Sequence, residues 1–189
     1  MAIEFEWPVI PMEPVARADA FDSEDTLFQV KWDGVRVLAY AFPGGVRLFN
    51  RRLHERTQQY PELVDALEGL PPGTVLDGEI VALAKNGKPN FPRVLRRDLV
   101  HSLIKIKQAA LAVPVHYMVF DVLWYAGRET MSLPLWERLE IMDGLKLFPG
   151  NIMKVDCEPK YGTALFEAVR NEGLEGIVAK KTDSIYIIG

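Results

Sequence analysis

The run from Val115 to Tyr125 is apolar almost without a break. A segment of that kind has no polar face to offer water, so it is read as a strand buried on both faces. The rest of the chain has to cover it. With 189 residues, 49% of them hydrophobic, the sequence can bury a proper core and make one domain.

What surrounds this run reads as hairpins with helices between them. Leu27–Val30 and Val35–Ala41 alternate like strands, and Asp33-Gly34 between them is read as a hairpin turn, with glycine supplying a positive φ. Phe42-Pro43-Gly44-Gly45 closes a second hairpin, and Val46-Arg47-Leu48-Phe49 returns as the next strand. Pro61 opens a helix with Leu63, Val64, Leu67 and Leu70 at helical spacing, ended by Pro71-Pro72-Gly73. Thr74–Ala84 is a strand closed at Asn86-Gly87. Residues 91–112 read as helical and hold Arg93, Arg96, Arg97, Lys105 and Lys107, the one basic concentration. Leu135–Leu145 and Thr163–Asn171 are helices, with Gly173 as C-terminal punctuation, and Ile152–Val155 and Glu175–Lys181 are strands. Residues 1–26 form an irregular lead-in broken by Pro8, Pro11 and Pro14. The class is α+β: two antiparallel sheets flanked by helices.

Several chemistries are excluded by composition. No run has the length of a membrane-spanning helix, and the first residues lack a signal-peptide pattern. One cysteine, Cys157, rules out an internal disulfide framework and points to a reducing cytosol; three scattered histidines make no zinc site. A net charge of −4 is not that of a free-standing nucleic-acid binder.

Polar groups nonetheless interrupt the strands at five places. Lys31 follows a strand end, where a lysine with a lowered pKa can act as a nucleophile or simply extend into water. Asn50-Arg51-Arg52 ends the third strand. Asp77-Gly78-Glu79 puts two carboxylates inside an apolar strand, Asp121 lies in the buried run, and Glu175-Gly176 precedes Ile177, with Lys180-Lys181 after it. Charges in apolar strands are costly unless paired, metal-bound or facing a polar cleft. Each alone is compatible with a structural ion pair. Together, one lysine, two arginines and two glutamates at strand ends can build an anion site with a divalent cation.

The ordered strings KWDGVR (31–36), LFNRR (48–52), VLDGEIVAL (75–83), YMVFDVL (117–123) and EGIVAK (175–180) resemble motifs I, Ia, III, IIIa and IV of the nucleotidyltransferase superfamily (ATP-grasp-like adenylation domains). That superfamily holds ATP-dependent DNA ligases, RNA ligases and mRNA-capping guanylyltransferases. Tyr60-Pro61-Glu62-Leu63, the stretch from Asn90-Phe91 to Arg97 and the Pro11-Met12-Glu13-Pro14 opening are similar to DNA ligases, in particular the bacterial end-joining branch.

The resemblance implies a role for each matching residue. Lys31 would attack the α-phosphate of ATP and become lysyl-AMP. Arg36 would lie near the ribose and Arg51 near sugar and phosphate. Glu79 would hold the ribose or help place a metal, and Phe120 would stack on adenine. Glu175 would be a carboxylate of a Mg²⁺ (or Mn²⁺) site, and Lys180 would approach the phosphates while Lys181 is solvated. Gln29 stands where many ligases have a carboxylate that reads the adenine amine; glutamine can accept the same bond, so ATP is expected over GTP.

Ser184, Tyr186 and Gly189 match the lead-in to motif V, whose lysines grip the α-phosphate, but the sequence stops there. Residues 1–189 are therefore expected to be one adenylation domain lacking motif V and the OB-fold domain. Loss of an electrostatic clamp on a reacting group costs about 2.7–4 kcal/mol, so slow self-adenylation and no unaided nick sealing are expected. In a full-length enzyme the acceptor would be nicked double-stranded DNA. Fused repair domains or the end-joining protein Ku would be partners, and the state a monomer in the bacterial cytosol. RNA ligase or capping activity, and a nucleotide-binding module without catalysis, are the alternatives.

Overall fold

The computed structural model describes residues 8–147 and 150–189; the first seven residues of the lead-in lie outside them. Among the described residues, nine strands form two sheets. β1 (Ser23–Val30) is the middle strand of a three-stranded sheet, between β8 (Glu158–Lys160) and β9 (Ile177–Lys181), antiparallel to both. The larger sheet runs β3 (Gly45–Asn50), β2 (Val35–Phe42), β4 (Thr74–Val81), β5 (His116–Tyr125), β6 (Arg128–Glu129). Its neighbours are antiparallel except that β7 (Ile152–Lys154) joins β5 in parallel.

β5 is the buried run anticipated from its composition. On one side of the large sheet, Val119 and Val122 join Val37, Ala39, Leu48 and Leu76 under α1 (Pro61–Leu67), Val94 of α2 (Phe91–Asp98) and Met142 of α4 (Leu135–Asp143). On the other side, Leu123 and Trp124 pack with Leu38, Tyr40, Phe49 and Val75, and the cover comes from Val9 and Tyr186 near the two ends of the described chain. The irregular lead-in thus closes the core. Val9 N donates to the Tyr40 hydroxyl at 3.0 Å.

Local chemistry sets most element boundaries. Pro61 stands at the start of α1, where its missing N–H costs nothing. Asn90 caps α2 by accepting from Arg93 N, and the expected helical stretch 91–112 is split, with α3 (Leu103–Ala112) starting after a break at 99–102. The β2–β3 hairpin is as expected, with Gly45 at φ +124°. α5 (Gly162–Asn171) ends before Gly173, at φ +68°. Residues 182–189 form no strand; Tyr186 is instead turned into the core.

One expectation is overturned. Lys31–Gly34 is not a hairpin turn, because β1 and β2 belong to different sheets. The segment crosses from one to the other, tied to β9's lead-in by Lys31 N donating to Gly176 O at 2.8 Å. Nor does Gly34 have a positive φ. Glycine is required because a Cβ there would stand 2.2 Å from the carbonyl oxygen of Ile80. The crossover is pressed directly onto β4, and a third hydrophobic group (Val81, Met118, Val155, with Trp32 and Phe120 against it) fills the joint.

Candidate active site

Between the sheets lies a cavity of about 740 Å³. Gln29 and Lys31 reach it from the end of β1 and the crossover, and Arg36 and Glu79 from the paired strands β2 and β4. Arg51 enters from the loop after β3, Phe120 from β5, and Glu175 and Lys180 from β9 and its lead-in. All eight residues singled out in the sequence therefore line one space. Residues more than 140 positions apart meet there because β1 pairs with β9.

Lys31 Nζ is in an ion pair with Glu175, both side chains close to 40% exposed to the cavity. Glu79 is more enclosed. Burial pushes its carboxyl up to about 8, opposed by Arg36 and Lys31 and reinforced by Asp77 and Glu175. Asp33, also on the cavity wall, is raised by burial and by Glu175. Three carboxyl groups, of Asp33, Glu79 and Glu175, line the cavity beside Lys31 and Arg36. Among the described residues no group of three or more His, Cys, Asp or Glu forms a ready metal cage.

Phe120, on β5 of the same sheet as Arg36 and Glu79, also presents its ring to the cavity. Lys180 Nζ lies 4.6 Å and the Arg36 guanidinium 5.3 Å from the ring centroid, both in cation–π range. Lys180 Nζ also donates to the Phe120 carbonyl at 3.2 Å, and burial lowers its pKa. Lys181 points outward to Asp25, as the alternation of a strand requires. Gln29 is buried, with Nε2 donating to Cys157 Sγ at 3.1 Å. Arg51 is largely exposed at the mouth, 3.9 Å from Glu13.

Two features escaped the sequence reading. Arg36 is not simply a free ligand of the cavity: it grips the fully buried Asp77 through Nε (3.0 Å) and Nη2 (2.7 Å), and Tyr186 donates to the same carboxylate at 2.7 Å. Asp121 also lines the cavity, but as one half of a buried ion pair, since Arg138 holds both its oxygens, at 2.7 and 3.1 Å. The only sequence signal for either pair was the cost of a charge in an apolar strand, which says that a partner exists without naming it.

Comparison with known proteins agrees with the geometry. The family model for the ATP dependent DNA ligase domain matches residues 12–189. The SPbeta prophage-derived DNA ligase-like protein LigB of Bacillus subtilis is 34% identical over 184 residues, covering 95% of this chain and 63% of that protein. The multifunctional non-homologous end joining protein LigD of Mycolicibacterium smegmatis is 32% identical over 167 residues, covering 88% of this chain and 20% of that protein. Among solved structures, a mycobacterial DNA ligase D complexed with ATP and MES superposes with a TM-score of 0.79 and 28% identity, covering 98% of this chain and 58% of the other. The chain thus spans less than two thirds of the length of these relatives. A match that runs through nearly the whole sequence, in a protein with this cavity, shows that the chain belongs to the ATP-dependent DNA ligase domain family.

Proposed function

We propose that this chain carries the adenylation step of a DNA ligase, with Lys31 as the nucleophile. Its Nζ attacks the α-phosphorus of ATP, a P–N bond forms, the P–O bond to the β-phosphate breaks, and pyrophosphate departs, leaving lysyl-AMP. The observation that carries this reading is the convergence of all eight candidate residues on one cavity. Lys31 must be neutral to attack, and in the free protein it is held in an ion pair with Glu175.

The remaining side chains divide the nucleotide among them. Phe120 offers a flat face to the base, and the Gln29 carboxamide reads its edge. Arg36 takes the ribose, Arg51 the sugar and phosphate, and Lys180 the phosphate charge, arginine being suited to oxyanions by its planar fork. Glu79 and Glu175 would hold Mg²⁺ or Mn²⁺, whose charge offsets that on the transferring phosphoryl group. In a longer enzyme the adenylate would pass to a 5′-phosphate at a nick in double-stranded DNA. The likeness to an end-joining protein supports a role in DNA repair and recombination by non-homologous end joining, with Ku or fused repair domains as partners. On the same reading the chain acts as a monomer in the bacterial cytosol.

Intact-mass spectrometry before and after incubation with ATP and Mg²⁺ tests the proposal, beside Lys31→Ala. The expected result is one added AMP on the parent and none on the variant. An adduct that persists in Lys31→Ala overturns the assignment of the nucleophile. Absence of both adduct and ATP binding in the parent overturns the adenylation reading.

A further inference from the structure

Tyr186 stands on the irregular segment after β9, yet it is only 7% exposed and reaches the floor of the cavity. A phenol hydroxyl has one proton to donate and two lone pairs to accept with. All three are used: it donates to Asp77 Oδ2 at 2.7 Å and accepts from Arg36 Nη2 at 3.3 Å and from Met12 N at 3.0 Å. The residue is fixed at its other end too. Tyr186 N donates to Met131 O at 2.8 Å, Arg138 Nη1 donates to Ser184 O at 2.9 Å, and the Arg138 guanidinium lies 6.0 Å from the Tyr186 ring centroid.

The consequence falls on Arg36. Its Nε and Nη2 are committed to Asp77 and Tyr186, and among the described residues none accepts from Nη1. The guanidinium is planar, so fixing one edge aims the other. The free edge belongs to a residue that lines the cavity and lies over the Phe120 ring. Asp77 alone would leave Oδ2 sharing a single partner. The phenol supplies the second bond that holds the carboxylate, and through it the arginine, in one orientation.

We infer that Tyr186 is a positioning residue for nucleotide binding, its hydroxyl orienting Arg36 through Asp77 so that the free Nη1 edge meets the nucleotide. The inference rests on the adenylation reading above. It goes beyond that reading by assigning the orientation of Arg36 to a side chain 150 residues away.

Tyr186→Phe keeps the buried ring and removes only the hydroxyl. Calorimetric ATP binding is measured on the parent, Tyr186→Phe, Arg36→Lys and the double variant, each also followed by thermal unfolding. Lysine preserves a cation beside Asp77 but has no second edge. Loss of an orienting bond to a charged pair predicts binding weaker by about five- to tenfold in Tyr186→Phe. No further weakening is expected when the same change is made in the Arg36→Lys background, because coupled residues are non-additive. Equal ATP affinity in Tyr186→Phe and parent overturns the inference. So does an equal loss in both backgrounds, which would mark Tyr186 as a general support. If Arg36→Lys does not fold, the comparison of parent and Tyr186→Phe at equal unfolding temperature still decides. A parent that binds no ATP sinks the adenylation reading and this role with it. A parent that binds ATP, with Tyr186→Phe unchanged, sinks only this role.

Discussion

Glu79 gives the sharpest quantitative expectation. Its carboxyl is raised from 4.5 to about 8, chiefly by burial, and no described residue hydrogen-bonds to it. Between those two pH values the folded chain holds a proton that the unfolded chain has released. Stability therefore falls as pH rises through this window, and the loss is complete only above about pH 8. At 1.36 kcal/mol per pH unit the penalty reaches ~5 kcal/mol as a ceiling; access to cavity water brings it down, so we take ~2–4 kcal/mol. Glu79→Gln is neutral at every pH and escapes the penalty. In thermal unfolding with EDTA from pH 4 to 9, the variant and parent should coincide near pH 4 and separate as pH rises. Above pH 8 the variant should melt higher by ~5–15 °C, at roughly 2–4 °C per kcal/mol for a chain of this size. Mg²⁺ should narrow the gap at high pH by stabilising the ionised carboxylate of the parent. Parallel stability curves for the two proteins, or a variant that melts lower at pH 8.5, would refute the argument.

Three further perturbations probe the frame of the cavity. Gly34→Ala places a methyl 2.2 Å from Ile80 O, so the crossover must lift off β4; a loss of about 1–3 kcal/mol in urea unfolding is expected, with slower AMP labelling because Lys31 moves with it. Arg138→Ala strands the buried Asp121 with only Val122 N as a partner and should cost about 3–5 kcal/mol, read as a fall in unfolding temperature. Phe120→Ala should weaken ATP binding about two- to tenfold through loss of a stacking face, while Phe120→Tyr retains it. Equal ATP affinities for the alanine variant and the parent would remove Phe120 from the base site.

Much of the molecule was legible because its signals are local. Alternation and turn chemistry mark β2, β3 and β4, the uninterrupted apolar run marks β5, and Pro61 and Gly173 punctuate helices. Polar residues in and beside the strands marked Lys31, Arg51, Glu79, Glu175 and Lys180, and the resemblance to the nucleotidyltransferase superfamily added Gln29, Arg36 and Phe120; the cavity collects all eight. The short strands β6 and β8, of two and three residues, were not legible, since each exists only because a neighbouring strand pairs with it, whereas the equally short β7 falls within the anticipated strand Ile152–Val155.

By itself, then, the sequence determined which stretches become strands and helices, and which charges have no business inside them unless something meets them there. Partnership was decided by tertiary structure. A lysine followed by Asp-Gly reads locally as a hairpin, yet Lys31–Gly34 bridges two sheets, because β1 pairs with β8 and β9 from the far end of the chain. Gly34 is fixed by a carbonyl 46 residues on, not by its own φ. Arg36 reads as a ligand of the cavity, but half its donors belong to Asp77 and Tyr186, 41 and 150 positions away. Periodicity reports on neighbours within a few residues. Hydrogen-bond partners and close backbone contacts at such separations exist only once the sheets have assembled, and they decide how each charged side chain is aimed.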